Sequence, residues 1–287
     1  MSLTGQRLLI NDAGLRERYP RLMGGDWAAR VATLLLLGAA FALFAFAFSR
    51  FDFSFARIGT GFSRLAEFIA LMVPPDPGEQ LPLLLKGIAE TLAMAFLGTL
   101  LAAVLAFPIG LLAARNVLPN FLMHFLIRRS MDSVRAVDAL IWALIWIGVV
   151  GLGPFAGILA IATTDVAALA KLFSESIENA DAKGEDGVAA SGAGPLLRIR
   201  FGLLPEALPV MASQVLYFME SNTRSATSLG IVGAGGIGLY INESIRTLDW
   251  AKVAFEIILI LIAVSLIDVV SSRLRRRLLG AGGQLLQ

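Results

Sequence analysis

Apolar residues in this chain gather into long unbroken runs rather than alternating with polar ones. Val31 to Phe48 contains no charge. A helix needs roughly 17–25 apolar residues to cross a bilayer, and this run meets that. A second run covers Ile88 to Ala114, with Pro108 as an expected kink. Later runs cover Ala207 to Val232 and Ala251 to Val270. Between them, Ala139 to Ala162 is almost continuous but contains Gly-Leu-Gly-Pro at Gly151 to Pro154. It admits two readings: one span, or the middle of a tight helical hairpin from about Met131 to about Ala170.

Charge placement decides between them. Cytoplasmic loops of membrane proteins carry an excess of Lys and Arg. With a cytoplasmic N-terminus, six spans put 17 cations inside and six outside, whereas five spans give 11 and 12. We therefore expect six spans, both termini cytoplasmic and Gly151–Pro154 as a short outer turn. Between the first two spans, Phe55, Ile58, Phe62, Leu65, Phe68, Ile69 and Met72 recur every three or four residues. They predict an amphipathic helix on the outer membrane surface or against the bundle, ended by Pro74 to Gly78.

Composition agrees with a chain whose solvent is lipid. Hydrophobic residues make up 57% and charged ones 16%, with a mean hydropathy of +0.75; soluble domains carry about 25% charged residues. Twenty of the 24 cations are Arg. The basic balance reads as membrane topology, not nucleic-acid binding. With no Cys, thiolate chemistry is excluded. The single His, His124, is expected at the membrane interface and cannot build a metal cluster. No A-x-A-like site closely follows the first run, so that run is read as a retained anchor rather than a cleaved signal.

The stretch Gly230-Ile-Val-Gly-Ala-Gly-Gly-Ile-Gly238 has the G-x-G-x-x-G spacing of a dinucleotide fingerprint. That fingerprint has meaning only between a buried strand and a helix. Here it follows the fifth span. Gly233, Gly235, Gly236 and Gly238 are instead expected to form a tight backbone turn or a close helix contact.

The loop before the fifth span reads Asp186-Gly187-Val188, then Gly192, then Gly202-Leu-Leu-Pro205. It resembles the cytoplasmic motif of permease subunits of ABC importers with the type I fold: an E-A-A triplet, a Gly, and an I-x-L-P-like end. Asp stands for Glu, Gly-Val for Ala-Ala, and Gly202 for an apolar residue. Four stretches narrow the likeness to the phosphonate-type permeases: Glu220 to Gly238, Ala114 to Asn120, Leu140 to Trp146 and Gly151 to Ala160. The acidic-Gly-Val start belongs to that subfamily. The likeness covers roughly residues 85–278.

The resemblance implies an all-α polytopic fold of six transmembrane helices. It also implies ATPase coupling through Asp186, Gly187, Val188, Gly192, Ala193, Leu204 and Pro205. Leu196, Leu197, Ile199 and Phe201 would offer an apolar surface to the partner. The expected assembly has two permease subunits (a homodimer by default), an ATPase dimer on the cytoplasmic side and an external substrate-binding protein. It would sit in the bacterial inner membrane and import phosphonate, phosphite or a related phosphorus oxyanion. ATP and magnesium would belong to the ATPase, and no cofactor or metal is expected in this chain. The expected organisation is a tail at 1–30, a first helix and external segment at 31–84, a permease core at 85–278 with its coupling loop at about 178–204, and a tail at 279–287.

Charges inside the runs mark candidate chemistry, since each costs about 2.5–3.5 kcal/mol at a bilayer centre on insertion scales. Glu220 and Arg224 stand at i, i+4 in the fifth span and are expected to pair. With Ser221, Asn222, Ser225 and Thr227 they form the candidate translocation path, where Arg224 would offer its planar donors to an oxyanion. Asp132, Asp138, Asp165, Glu175 and Glu256 fall near predicted span ends and are expected to be wetted or capping. Asp268 lies deeper, with no assigned role. The chain has no G-x-x-x-x-G-K-[ST] and no carboxylate pair at metal-ligand spacing. An enzyme is therefore not expected. The alternative kept open is an ion-coupled secondary transporter of small anions, which would call for two related halves.

Overall fold

The computed structural model describes residues 27–50, 54–118 and 120–282. Most of the expected N-terminal tail, Pro119 of the Ala114 to Asn120 stretch, and residues 283–287 of the C-terminal tail lie outside the described residues. The described residues are helical, with turns between. The chain divides into two compact units, residues 1–68 and 69–287.

In the first unit, helix α1 (Trp27–Arg50) is apolar on every side and its described side chains are almost all exposed. A helix without a polar stripe suits lipid on all sides. Helix α2 (Phe55–Leu71) gathers Ile58, Phe62, Leu65 and Ile69 on one face, all exposed, with Arg57 and Arg64 off that face.

The second unit begins within the last turn of α2; a short 3-10 turn, Gly78–Gln80, then leads into α3 (Leu81–Ala113). This helix starts earlier than the apolar run and continues through Pro108. Lys86, just before the apolar run, and Glu90 within it stand one turn apart on one face of this helix and pair at 3.8 Å. Helix α4 (Phe121–Arg135) follows, its first turn capped by the Asn120 side chain, which accepts from Leu122 N and Met123 N. Helix α5 (Ala139–Val150) starts at an Asp138 cap that accepts from Leu140 N at 2.8 Å.

The axes of α4 and α5 differ by 84°. The first arm of the hairpin expected from about Met131 is therefore corrected: the chain breaks at residues 136–138, and α5 alone leads to the Gly151–Pro154 turn. At about 1.5 Å per residue, α5 is roughly 18 Å long, short of a whole bilayer core. Gly151 and Gly153 take positive φ, and Pro154 opens α6 (Pro154–Glu178), so the Gly-Leu-Gly-Pro stretch is a turn between helices. Next come α7 (Ala182–Ala190), α8 (Pro195–Arg198), a π turn at Ile199–Leu203 and α9 (Leu204–Leu229). A second π turn, Gly230–Ala234, leads to α10 (Ile237–Arg246) and α11 (Trp250–Gly282). Five helices among the described residues are long and apolar enough to span, and the bent α4–α5 pair, if it crosses as one unit, brings the number to six.

Small residues build the core. Ala95, Ala102, Ala106 and Ala113 of α3 are buried with Ala156, Ala160, Ala167 and Ala170 of α6. Small side chains let two helix backbones come close where burial from water provides no drive. Phe173, Ile177, Leu203 and Met211 fill one cluster of this core, and Met94, Ile161 and Leu229 another.

Candidate functional site

Helix α9 lies at the centre of the candidate site, and its polar residues divide between two faces. Tyr217, Arg224, Ser228 and Ile231 are exposed, with Ser221 half-buried among them. They recur at 217, 221, 224, 228 and 231, a single stripe pointing away from the unit's own core. Ser225 is also half-exposed. A row holding Arg and two Ser does not face hydrocarbon, so it needs water or another protein surface.

Asn222 turns inward on the opposite face, and Glu220, one turn before Arg224 at the edge of the stripe, is buried as well, so these two expected path residues belong to the interior. Asn222 Nδ2 donates to Thr99 Oγ1 of α3 at 2.8 Å and also to Asp165 Oδ2 of α6. Asp165 is therefore not a wetted span end but a buried group halfway along α6. Glu256 is likewise fully buried and accepts from Ser244 Oγ at 2.9 Å. Asp138 caps, as expected. Asp132 lies 3.8 Å from Lys171 and 3.7 Å from Arg129. Asp268 is exposed. Thr227 is half-buried.

The expected Glu220–Arg224 pair is loose. Arg224 Nη2 lies 3.7 Å from Glu220 Oε1, and the Arg224 side chain is 55% exposed. Arg275 of α11 is the closer partner, donating from Nη2 to Glu220 Oε2 at 2.8 Å. Helical side chains tilt toward their own N-terminus, so on antiparallel helices an acid and a base can lean toward each other. The same two helices also meet where Ser271 Oγ donates to Leu216 O at 3.5 Å. In the sequence Arg275 stands beside Arg273, Arg276 and Arg277, and no local signal singles it out.

His124 is buried within the protein. Its Nδ1 donates to Ala113 O at 2.8 Å, and its Nε2 accepts from Arg115 Nε at 3.1 Å. Arg128 grips Glu178 by both carboxylate oxygens, at 3.0 and 2.9 Å, and Arg115 N donates to Glu178 Oε1. This network ties the ends of α3, α4 and α6 together beside the start of the expected coupling loop.

The segment before α9 is well braced. Asp181 caps α7 by accepting from Lys183 N, and this backbone hydrogen bond holds the Asp181 carboxyl below its ordinary range. Glu206 of α9 accepts from Asp181 N at 2.8 Å. Backbones cross at Gly184 and Gly202: a Cβ on Gly184 would stand 2.9 Å from Gly202 O, and one on Gly202 would stand 2.7 Å from Glu185 Cα. Gly202 thus serves as a contact point where an apolar side chain would not fit. Asp186 and Gly187 lie exposed on α7 with Val188 half-buried, and Gly192 has φ +81° at the break after it. Ala193 O accepts from Arg198 Nε. Leu204 and Pro205 open α9. Leu196 is 81% exposed and Phe201 58%, with Leu197 beside them. Ile199, expected on the same surface, is only partly exposed and packs against the core.

Beyond α9 the glycine stretch folds on itself. A helix, not a strand, leads into it. Gly233, Gly235 and Gly236 have φ of +107°, +83° and +73°. A Cβ on Gly238 would lie 2.0 Å from Thr227 O and 2.9 Å from Gly230 Cα. Glu90 and Thr91 of α3 accept from Gly236 N and Ile237 N at 3.2 and 2.9 Å, satisfying the first donors of α10.

The pattern of the family described as binding-protein-dependent transport system inner membrane component matches residues 106–280, more than half of the chain. The chain belongs to that family. It is a transport permease and a multi-pass membrane protein, and membership sets aside the ion-coupled secondary transporter. Over 211 residues the permease is 41% identical to HtxC of Stutzerimonas stutzeri, a candidate phosphite transport system permease, with 74% of each chain covered. It is 36% identical over 207 residues to the phosphate-import permease PhnE of Mycolicibacterium smegmatis, covering 72% of this chain and 39% of that longer one. The permease also shares the fold of a chain in the inward-facing MetNI methionine ABC transporter, with a TM-score of 0.63 at 23% identity, over 70% of this chain and 99% of that one. The fold is that of a type I ABC importer permease.

Proposed function

We propose that this permease forms the membrane path of an ATP-driven importer for a small phosphorus oxyanion, such as a phosphonate or phosphite. The names of its relatives support that cargo class, and the observation that carries the proposal is the exposed stripe on α9 with Arg224 at its centre. Two copies related by a two-fold axis would face these stripes toward each other and enclose a polar path. Each Arg224 would meet the passing anion through a planar fork of donors.

An external binding protein would deliver the anion. A separate ATPase dimer, holding ATP and magnesium, would dock on the cytoplasmic side against Leu196, Leu197 and Phe201. The braces at Asp181–Glu206 and Gly184–Gly202 would pass its movement to α9. Both termini would be cytoplasmic in the inner membrane.

Orientation is readily tested because the chain has no Cys. A single Cys at Ala182 should be shielded from an impermeant thiol reagent in intact cells, and one at Gly78 should react; the reverse would overturn the topology. For cargo, the binding protein should be titrated with phosphonate, phosphite and phosphate, and uptake followed in proteoliposomes holding permease and ATPase. Arg224→Gln should assemble normally and lose uptake by about tenfold or more. Uptake at the parental rate would remove Arg224 from the path.

A further inference from the structure

Arg273, Arg275, Arg276 and Arg277 crowd the end of α11, and the first, third and fourth are exposed. Arg275 alone turns into the bundle, with its side chain 22% exposed against a Glu220 side chain at 12%. Its Nη1 is buried without a partner, so the group does not rest in an ideal structural clamp. Glu220 thus has two cations within reach, one held at 2.8 Å and one standing off at 3.7 Å. Attraction between charges rises as distance and solvation fall, so the nearer, drier Arg275 takes most of the carboxylate's charge. The three groups together carry a net charge of +1, and that charge sits on the side facing out, at Arg224.

We infer that Arg275 is a positioning residue for the anion path: by holding Glu220 it keeps Arg224 uncompensated and turned toward the exposed stripe. This rests on the reading of Arg224 as an anion contact. Without Arg275, Glu220 has only Arg224, one helical turn along the same face, to pair with. The acid would then fold onto Arg224, and the path would present a neutral pair in place of a cation.

The test uses the assembled complex of permease, ATPase and binding protein, with two readouts. One is phosphite uptake. The other is the modification rate of Arg224 by phenylglyoxal, read by mass spectrometry, which does not depend on the cargo. Arg275→Gln should slow Arg224 modification several-fold and cut uptake about tenfold, with undiminished recovery of the ATPase subunit. Arg275→Lys should stay near parental. Adding Glu220→Gln to Arg275→Gln removes the competing acid and should restore both readouts. A purely structural brace predicts otherwise: lost ATPase recovery, and no change in Arg224 reactivity. Unchanged Arg224 modification in Arg275→Gln, or no restoration in the double variant, would overturn the inference. Parental uptake by Arg224→Gln would instead overturn the path reading, while the reactivity data would still report on Arg275.

Discussion

Helix α9 is flanked at both ends by a π turn, with several glycines in or near each, and the two ends are built to opposite effect. After α9, the glycines are tightly enclosed: Gly230 and Gly238 meet backbone, Gly235 and Gly236 meet Pro154, Thr91 and Met94, and each leaves no room for a Cβ. Before α9, only Gly184 and Gly202 are so confined, while Gly187, Gly192 and Gly194 have open space around them. Exposed Leu196, Leu197 and Phe201 border that open space. One end is closed by its own chain. The other is stiffened from within but keeps an apolar surface outward, as a site for a partner does. The same residue type thus serves interior packing in one place and leaves a surface clear in the other.

Substitutions can break this contrast. The largest effect should come from Gly238→Val, which drives a branched side chain into the Thr227 carbonyl. We expect a loss on the order of 3 kcal/mol or more, seen as aggregation on size-exclusion chromatography of detergent-solubilised protein. A monodisperse variant with parental thermal stability would show that the turn is looser than described. Leu196→Asp should do the opposite: parental stability, but recovery of the ATPase subunit reduced about tenfold or more. Parental recovery would move the docking surface elsewhere.

Gly192→Val is intermediate. Its φ of +81° disfavours a branched residue by about 1–2 kcal/mol. Membrane abundance should stay normal while ATPase recovery and uptake fall; parental uptake with the ATPase firmly bound would separate this break from coupling. A smaller effect is expected for Gly187→Ala, within α7 and in open space, which should stabilise by roughly 0.5–1 kcal/mol in a thermal melt. A destabilised variant would reveal a contact at that site.

The smallest effect concerns pH. The folded Asp181 carboxyl titrates below its ordinary value of 3.8. Its contribution to α7 is therefore fully present above that value and fades as pH falls through the lower folded value. Asp181→Asn can still cap and should remove this pH dependence, measured by hydrogen exchange at Lys183 N between neutral and acidic pH. Unaltered acid sensitivity would assign the effect to another group.

Much of the architecture was legible because hydrocarbon is a severe filter. Runs such as Val31 to Phe48 and Ala251 to Val270 have few other uses, and a helix is the economical way to satisfy their backbones. The break at residues 136–138 was not legible. Helix α4 is short and carries Arg128, Arg129 and Asp132, so its apolar side fell below the length at which a run stands out. Asp165 was misplaced for a related reason: polarity reads as exposure unless the partners are known, and Asn222 becomes its neighbour only on folding; the partners of His124, Ala113 and Arg115, were hidden in the same way.

The sequence by itself determined that α9 is a membrane helix with polar residues nearly all round, and that the chain bends sharply at Gly233–Gly238. Both follow from local chemistry: residue type, helical spacing and the φ values that glycine permits. Only the tertiary structure decided which polar residues face inward and which outward. A helix with no clean apolar stripe carries no record of its own rotation. The choice between Arg224 and Arg275 as the partner of Glu220 depends on where α11 lies, and Arg275 is 55 residues away along the chain. Sequence spacing favours the nearer arginine, whereas the packed helices favour the one with the shorter, drier approach.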